Sequence, residues 1–325
     1  MCAQRGDTSS MSLVTAQPST LALPATRARV YAAEARAPAT RRCYAGQLRR
    51  YAEWCSARGA TPGLNATVAA YLADRADAGT SIATLAQALA ALGQAATAAG
   101  TVSPRTDPLV RETWAGIRRV HRVAPRRQAS PLSPSDLRAM CAATAGRVDG
   151  TRDRALLLIG WAAALRRSDL VALDTEDVSE TDDGLLLRIR REKTDQEGVG
   201  RTVGVPFGSD PTTCPVRALR QWPAESGIVA GPLWRSYRGR RLTRRRLGPG
   251  DVARIVQRVS SRAGLSLEHA SGHSLRAGLA TTAAKAGKPL HSIMAQTGHR
   301  SAAMVMRYIR DAEVFSNNAA AGVGL

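Results

Sequence analysis

Three short patterns in the second half of the chain gather side chains able to handle a phosphate. Ala164-Leu165-Arg166-Arg167-Ser168-Asp169-Leu170 sets arginines beside an acid, and His273-Ser274-Leu275-Arg276-Ala277-Gly278 puts a histidine three residues before an arginine. Thr297-Gly298-His299-Arg300-Ser301 offers a second histidine after a glycine, and Tyr308 follows His299 by nine residues. A guanidinium is a planar fork that stays protonated and can grip two oxyanion oxygens at once. Imidazole exchanges a proton near neutral pH, and a phenol that has lost its proton is a nucleophile. Each side chain also has a plainer reading. An arginine is ordinarily a solvated surface charge, and a tyrosine on a short amphipathic helix is ordinarily core. A metal is the rival use of the two histidines, but no cysteine lies near either. Glu268 is off helical spacing from His273, and His269 falls in the turn before that helix.

Taken in order, these motifs resemble the tyrosine recombinases of the phage integrase and Xer type. The chain matches that family's first arginine motif, its H-x-L-R motif, its G-H motif and its nucleophilic tyrosine. Lys193, in Glu192-Lys193-Thr194-Asp195, falls where the family keeps a lysine on a β-hairpin. The resemblance extends from about Ala28 to Phe315. It implies that Tyr308 attacks a DNA phosphate, that Arg166 and Arg276 bind the non-bridging oxygens, and that Lys193 protonates the leaving 5′ oxygen. His273 would accept or relay the phenol proton, and His299 would stabilise the transition state by a hydrogen bond. Spacing to Ser168 and Leu170 favours Arg166 over its neighbour Arg167, and Asp169 would buttress that arginine. The implied product is a 3′-phosphotyrosine, which keeps the bond energy needed for rejoining, so no metal, ATP or other small-molecule cofactor is expected. No G-x-x-x-x-G-K phosphate loop appears in the chain. Four protomers on two paired double-stranded DNA sites would be the working assembly. Two readings compete: a DNA-relaxing enzyme of the type IB topoisomerase kind, and a DNA-binding regulator without catalysis.

Composition agrees with a polyanionic partner. The chain has 46 Lys+Arg against 26 Asp+Glu, a formal net charge of +20. Nucleic acid is favoured over a membrane surface, because no basic amphipathic anchor accompanies the charge. Part of the excess reflects an Arg- and Ala-rich composition of the kind GC-rich genomes encode. Lys193, Lys285 and Lys288 are the only lysines, so few residues could supply an ammonium. The five cysteines form no CxxC pair, which points to a reduced compartment. No stretch approaches the roughly 18 apolar residues of a membrane span, and no secretory signal pattern opens the chain. A cytoplasmic, nucleoid-associated location is therefore expected, in a bacterium or on a phage or mobile element.

The elements that must position these residues read as mainly α. After a disordered lead at 1–24, helical patterns run over Thr40–Arg58, Ala66–Ala78, Ser81 to Gly100, and Pro108 to Val120, a helical-bundle core-binding domain at 25–121. Arg41, Arg42, Arg118 and Arg119 on these helices are candidate DNA-phosphate contacts. So are Arg126 and Arg127 in a basic linker at 122–131. The catalytic domain, 132–310, opens with Ser133 as N-cap, Pro134 at the first helical position and Asp136 at the third. A helix follows at about Arg152–Leu165. Alternation at Leu185–Ile189 and again at Val203 and Val205 predicts a small antiparallel sheet. Helices then return at about Pro215–Gln221, Asp251–Ala263, Ser274–Ala286, Leu290–Gln296 and Ala302–Ile309. The tail at 311–325 is small and apolar, and by resemblance it would dock on a neighbouring protomer.

Overall fold

The computed structural model describes residues 26, 27, 30, 31, 34–121, 130–190, 200–266 and 270–313, the last four by backbone alone. The lead, the linker residues 122–129 with Arg126 and Arg127, Lys193 and its turn, His269 and the tail beyond 313 lie outside the described residues. The chain forms two compact units, Met1–Arg126 and Arg127–Leu325.

In the first unit, α1 (Pro38–Arg58), α2 (Asn65–Asp77), α3 (Ile82–Ala98) and α4 (Pro108–Val120) share one core. Their starts are written locally. The Ser81 side chain accepts from Thr84 N, and Asp107 accepts from Val110 N with Pro108 just inside the helix, each cap contributing about 1 kcal/mol. Tyr51, Cys55, Tyr71, Leu72, Leu85, Leu89, Val110 and Ile117 fill the interior. Tyr71 meets Tyr51 edge-on with ring centroids 5.1 Å apart. The cations stay outside: Arg41 pairs with Glu34 at 2.7 Å, and Arg42, Arg118 and Arg119 are exposed. Arg118 and Arg119 occupy the last turn of α4, where a positive charge also opposes the helix dipole.

The second unit is built from α5 (Pro134–Ala142), α6 (Gly150–Ala162), α7 (Arg167–Ala172), α8 (Pro215–Ser226), α9 (Pro249–Arg262), α10 (Gly272–Lys285), α11 (Leu290–Thr297) and α12 (Ala302–Glu313). The capping box of α5 forms as the sequence dictates, Ser133 and Asp136 each satisfying the other's backbone N–H. Strands β1 (Val178–Thr181), β2 (Gly184–Ile189) and β3 (Arg201–Pro206) make one antiparallel sheet in that order. Leu185 lies opposite Val205 and Leu187 opposite Val203, and these side chains join the main core with Ile189, Leu156, Leu157 and Trp222. The mainly helical architecture with a minor sheet is as expected from the patterns. Three features exceed them. The short helix α7 forms within the first arginine motif. β1 adds a third strand to the expected hairpin, and β4 (Arg235–Arg238) with β5 (Arg241–Arg246) forms a separate hairpin. Among the described residues, no helix is long and apolar enough to cross a membrane.

Two glycines let the chemical motifs meet. A Cβ on Gly160 of α6 would stand 2.9 Å from Leu275 Cδ1 and 3.0 Å from Leu170 Cδ2. The leucines of the two arginine motifs therefore converge on one bare patch of helix. A Cβ on Gly278 would fall 2.1 Å from the Leu132 carbonyl oxygen. Its absence seats α10 against the segment whose Leu132 carbonyl accepts from Trp161 Nε1 at 2.9 Å.

Candidate active site

Helix α6 ends in a turn in which Ala164 adopts φ +48, the left-handed region that a side chain disfavours. The turn aims the Ala164 carbonyl inward and presents Arg166 as the N-cap of α7. Arg276, one turn into α10, is buried, and its Nη1 donates to the Ala164 carbonyl at 2.9 Å and to the Thr297 carbonyl. Arg166 Nη2 donates to the Gly298 carbonyl at 3.3 Å. The two guanidiniums thus converge on consecutive carbonyls at the end of α11. Asp169 is buried and stands 3.7 Å from Arg166 Nη1, while Ser168 Oγ donates to it at 2.9 Å. The neighbouring Arg167 takes another course: its stem crosses Gly272, where a Cβ would lie 2.3 Å from Arg167 Cγ.

The histidines come from two helix ends. Ser271 caps α10 and accepts from His273 N, which places His273 in the first turn with its Nε2 3.2 Å from Tyr308 Oη. His299 follows Gly298, whose φ of +65 ends α11 in a left-handed cap. Its Nδ1 is 2.7 Å from Thr297 Oγ1. Because that hydroxyl donates its own proton to the Ile293 carbonyl at 2.6 Å, the oxygen accepts from a protonated Nδ1. The His299 and Tyr308 rings lie 6.1 Å apart between centroids. Tyr308 itself is embedded with Val305 among Ala277, Ala280, Ala284 and Ile293. Its ring is core, as a tyrosine on such a helix ordinarily is, and only the hydroxyl edge reaches His273.

Positive charge dominates the electrostatics. Burial, then the Arg276 and Arg166 guanidiniums, push His299 down to about 4. His273 is also lowered, by partial desolvation and by Arg276 and Arg167, although much of its ring remains exposed. Both imidazoles are neutral at physiological pH. Such a pocket favours an anion that would bind the arginines and stabilise added protons. Among the described residues, no three His, Cys, Asp or Glu side chains gather as a metal ion would need.

Arg166, His273, Arg276, His299 and Tyr308 are thus linked by direct contacts or through the Thr297–Gly298 carbonyls, with Asp169 beside Arg166. Lys193 lies outside the described residues. The half-buried Arg41 and the exposed Arg42, Arg118 and Arg119 belong to the other unit. Sequence patterns did not reveal Arg201 or Gln296. Arg201, at the start of β3, donates to the Ala295 and Gln296 carbonyls at 3.1 and 3.3 Å and adds to the field on His299. Gln296 Nε2 donates to the Ala162 carbonyl at 2.8 Å and the Gly204 carbonyl at 3.0 Å. Together they clamp the His299 turn to β3 and to the end of α6. The one sequence signal that could have found Arg201 is its place shortly after the Glu192–Asp195 segment that the family resemblance singles out.

Residues 131–314 match the model of the phage integrase family. An integrase/recombinase XerD homolog of Selenomonas ruminantium is 33% identical over 293 residues, 88% of this chain and 85% of that protein. Two solved structures share the fold. XerH site-specific recombinase bound to a palindromic difH substrate, in a post-cleavage complex, superposes with TM-score 0.61 at 17% identity, over 85% of this chain and 79% of that one. A lambda integrase tetramer bound to a Holliday junction gives TM-score 0.61 at 20% identity, over 88% and 75%.

Proposed function

The chain belongs to the phage integrase family of tyrosine recombinases, and on that premise we propose that Tyr308 is the nucleophile with which it cuts and rejoins duplex DNA. The observation that carries the assignment is the 3.2 Å contact of Tyr308 Oη with His273 Nε2, beside arginines gathered on the Thr297 and Gly298 carbonyls. The phenol proton passes to the neutral His273, and the phenolate oxygen attacks phosphorus. The bond from phosphorus to the 5′ oxygen breaks, leaving a 3′-phosphotyrosine and a free 5′ hydroxyl. Arg166 and Arg276 hold the non-bridging oxygens through the five-coordinate state, and His299 adds a hydrogen bond. Lys193 supplies the proton to the departing oxygen. Attack by a 5′ hydroxyl on the phosphotyrosine reverses the step, so rejoining draws on the stored ester bond.

Kinship with recombinases disfavours the topoisomerase reading, and the occupied chemical positions argue against a regulator without catalysis. On the precedent of the lambda integrase tetramer on a Holliday junction, the working assembly is four protomers on two paired sites. The apolar tail beyond residue 310 is a candidate contact between them. The compartment is that of the DNA, the bacterial cytoplasm and nucleoid, for an element-borne or chromosomal enzyme alike.

A pool of nicked duplexes with randomised cores provides the test, because a nick lets the 5′ end escape and traps the adduct. The wild-type chain should form a covalent adduct that resists detergent, and Tyr308→Phe should form none while binding DNA as before. Loss of the hydroxyl removes its hydrogen bond to His273, worth about 1 kcal/mol, while the ring stays in the core, so folding survives. An adduct on the Phe variant would overturn the assignment.

A further inference from the structure

Between Glu225 and Asp251 the chain carries seven arginines and no acid. The β4–β5 hairpin concentrates them, and two are used structurally. Arg235 donates to the Ala230 and Pro232 carbonyls, while Arg246 donates to the Val171 and Leu173 carbonyls and pairs with Asp174. The other five, Arg238, Arg240, Arg241, Arg244 and Arg245, are exposed, and among the described residues none makes an ion pair. Elsewhere in this unit many arginines are neutralised: Arg152, Arg190, Arg220 and Arg258 each meet a carboxylate. Register makes the concentration costly. Arg238 stands directly opposite Arg241 at the tip, and like charges facing across a ladder destabilise it. Gly239, at φ +60, closes the turn between them.

The stem of this hairpin is tied to the active site from two sides. Arg246 grips the C-terminal carbonyls of α7, whose N-cap is Arg166. Six residues at about 1.5 Å each put those ends roughly 9 Å apart along the helix. β5 runs directly into α9, whose Val252 Cγ1 lies 3.0 Å from where a Cβ on Gly272 would be, next to His273.

We infer that the β4–β5 hairpin is a clamp for the phosphate backbone of the DNA segment flanking the cut, its five unpaired arginines sitting on successive phosphates. This rests on the DNA-cutting reading of the site. Such contacts position the duplex and carry no sequence preference. They also relieve the Arg238–Arg241 repulsion, so the hairpin is more ordered on DNA than off it.

The test needs no knowledge of the target site. Affinity of the full chain for a duplex of arbitrary sequence is measured against salt for wild type and for R238Q/R240Q/R241Q/R244Q/R245Q. The slope of log K against log salt should become shallower by about 4.5, since each of the five lost phosphate contacts removes roughly 0.9. A control variant, R138Q/R147Q/R217Q/R262Q, removes exposed charge elsewhere in the same unit and should move the slope by less than 1. An unchanged slope in the hairpin variant, or an equal change in the two, overturns the inference, including the case in which the true partner is RNA or an acidic protein. Covalent capture of DNA by the wild-type chain separates the two claims. Capture with an unchanged hairpin slope sinks only the clamp, whereas absence of capture sinks the reading beneath it.

Discussion

With its Nδ1–H committed to Thr297, a neutral His299 offers the pocket only the lone pair of Nε2. It can donate to a phosphate oxygen only as the imidazolium, and burial among arginines holds it near 4. Docking a phosphate reverses that field, so binding should be accompanied by proton uptake. Calorimetric titration with DNA in buffers of different ionisation heat should detect uptake near neutral pH, and His299→Gln should diminish it. The same residue also bears on stability. Its folded pKa lies below the unfolded value of roughly 6.5, so the unfolded chain binds the proton more tightly. Stability is therefore full above about 6.5 and falls as pH drops towards 4. Denaturant midpoints across that range should fall less steeply in His299→Gln, and an identical slope would refute the account. The five described catalytic candidates were legible because each sits in a short motif with fixed local spacing. Arg201 was not, because its partners lie 94 and 95 residues away and no local pattern marks that pairing.

Helices were legible for the reason that helix signals are local. Ser81 and Ser133 announce starts within four residues, and the structure uses each as a cap, as it does Asp107 ahead of Pro108. β1 was not, since three of its four residues face solvent and the polar run Ser179-Glu180-Thr181 shows no alternation. Arginines hid β4 and β5 in the same way, because a two-stranded hairpin with neither face deeply buried has no apolar rhythm. The glycines of the motifs carry element-scale meaning. Gly278 belongs to the H-x-L-R segment, yet its task is to let α10 touch the Leu132 backbone. Gly278→Ala should lower stability by about 2 kcal/mol through overpacking. It should also depress adduct formation more than DNA affinity, since it shifts the helix bearing His273 and Arg276. Thermal melts and covalent capture, taken together, check both. A variant of full stability and activity would mean that the Leu132 segment yields easily.

At the scale of the molecule, the core of the first unit shares no residue with the two core clusters of the second, which implies two separable units. A chain beginning at residue 127 should melt cooperatively by itself. It should bind DNA more weakly and with a shallower salt slope than the full chain, for lack of Arg41, Arg42, Arg118 and Arg119. A non-cooperative melt would show that the second unit depends on its neighbour. The charge excess was plain from composition, but its distribution was not, because neutralisation by distant carboxylates is a property of the fold. Arg276 bears on how such an enzyme is made. It bridges carbonyls at Ala164 and Thr297, 112 and 21 residues away, and Arg166 reaches across 132 residues to Gly298. Tyr308, the proposed nucleophile, follows all of them in the chain. During synthesis, which proceeds from the N-terminus, no partial product contains a complete site, and a chain that has frayed locally loses its phosphate grip along with its shape. Competence to cut DNA is thereby withheld from every nascent copy that lacks the last of these segments, a safeguard that requires no inhibitor.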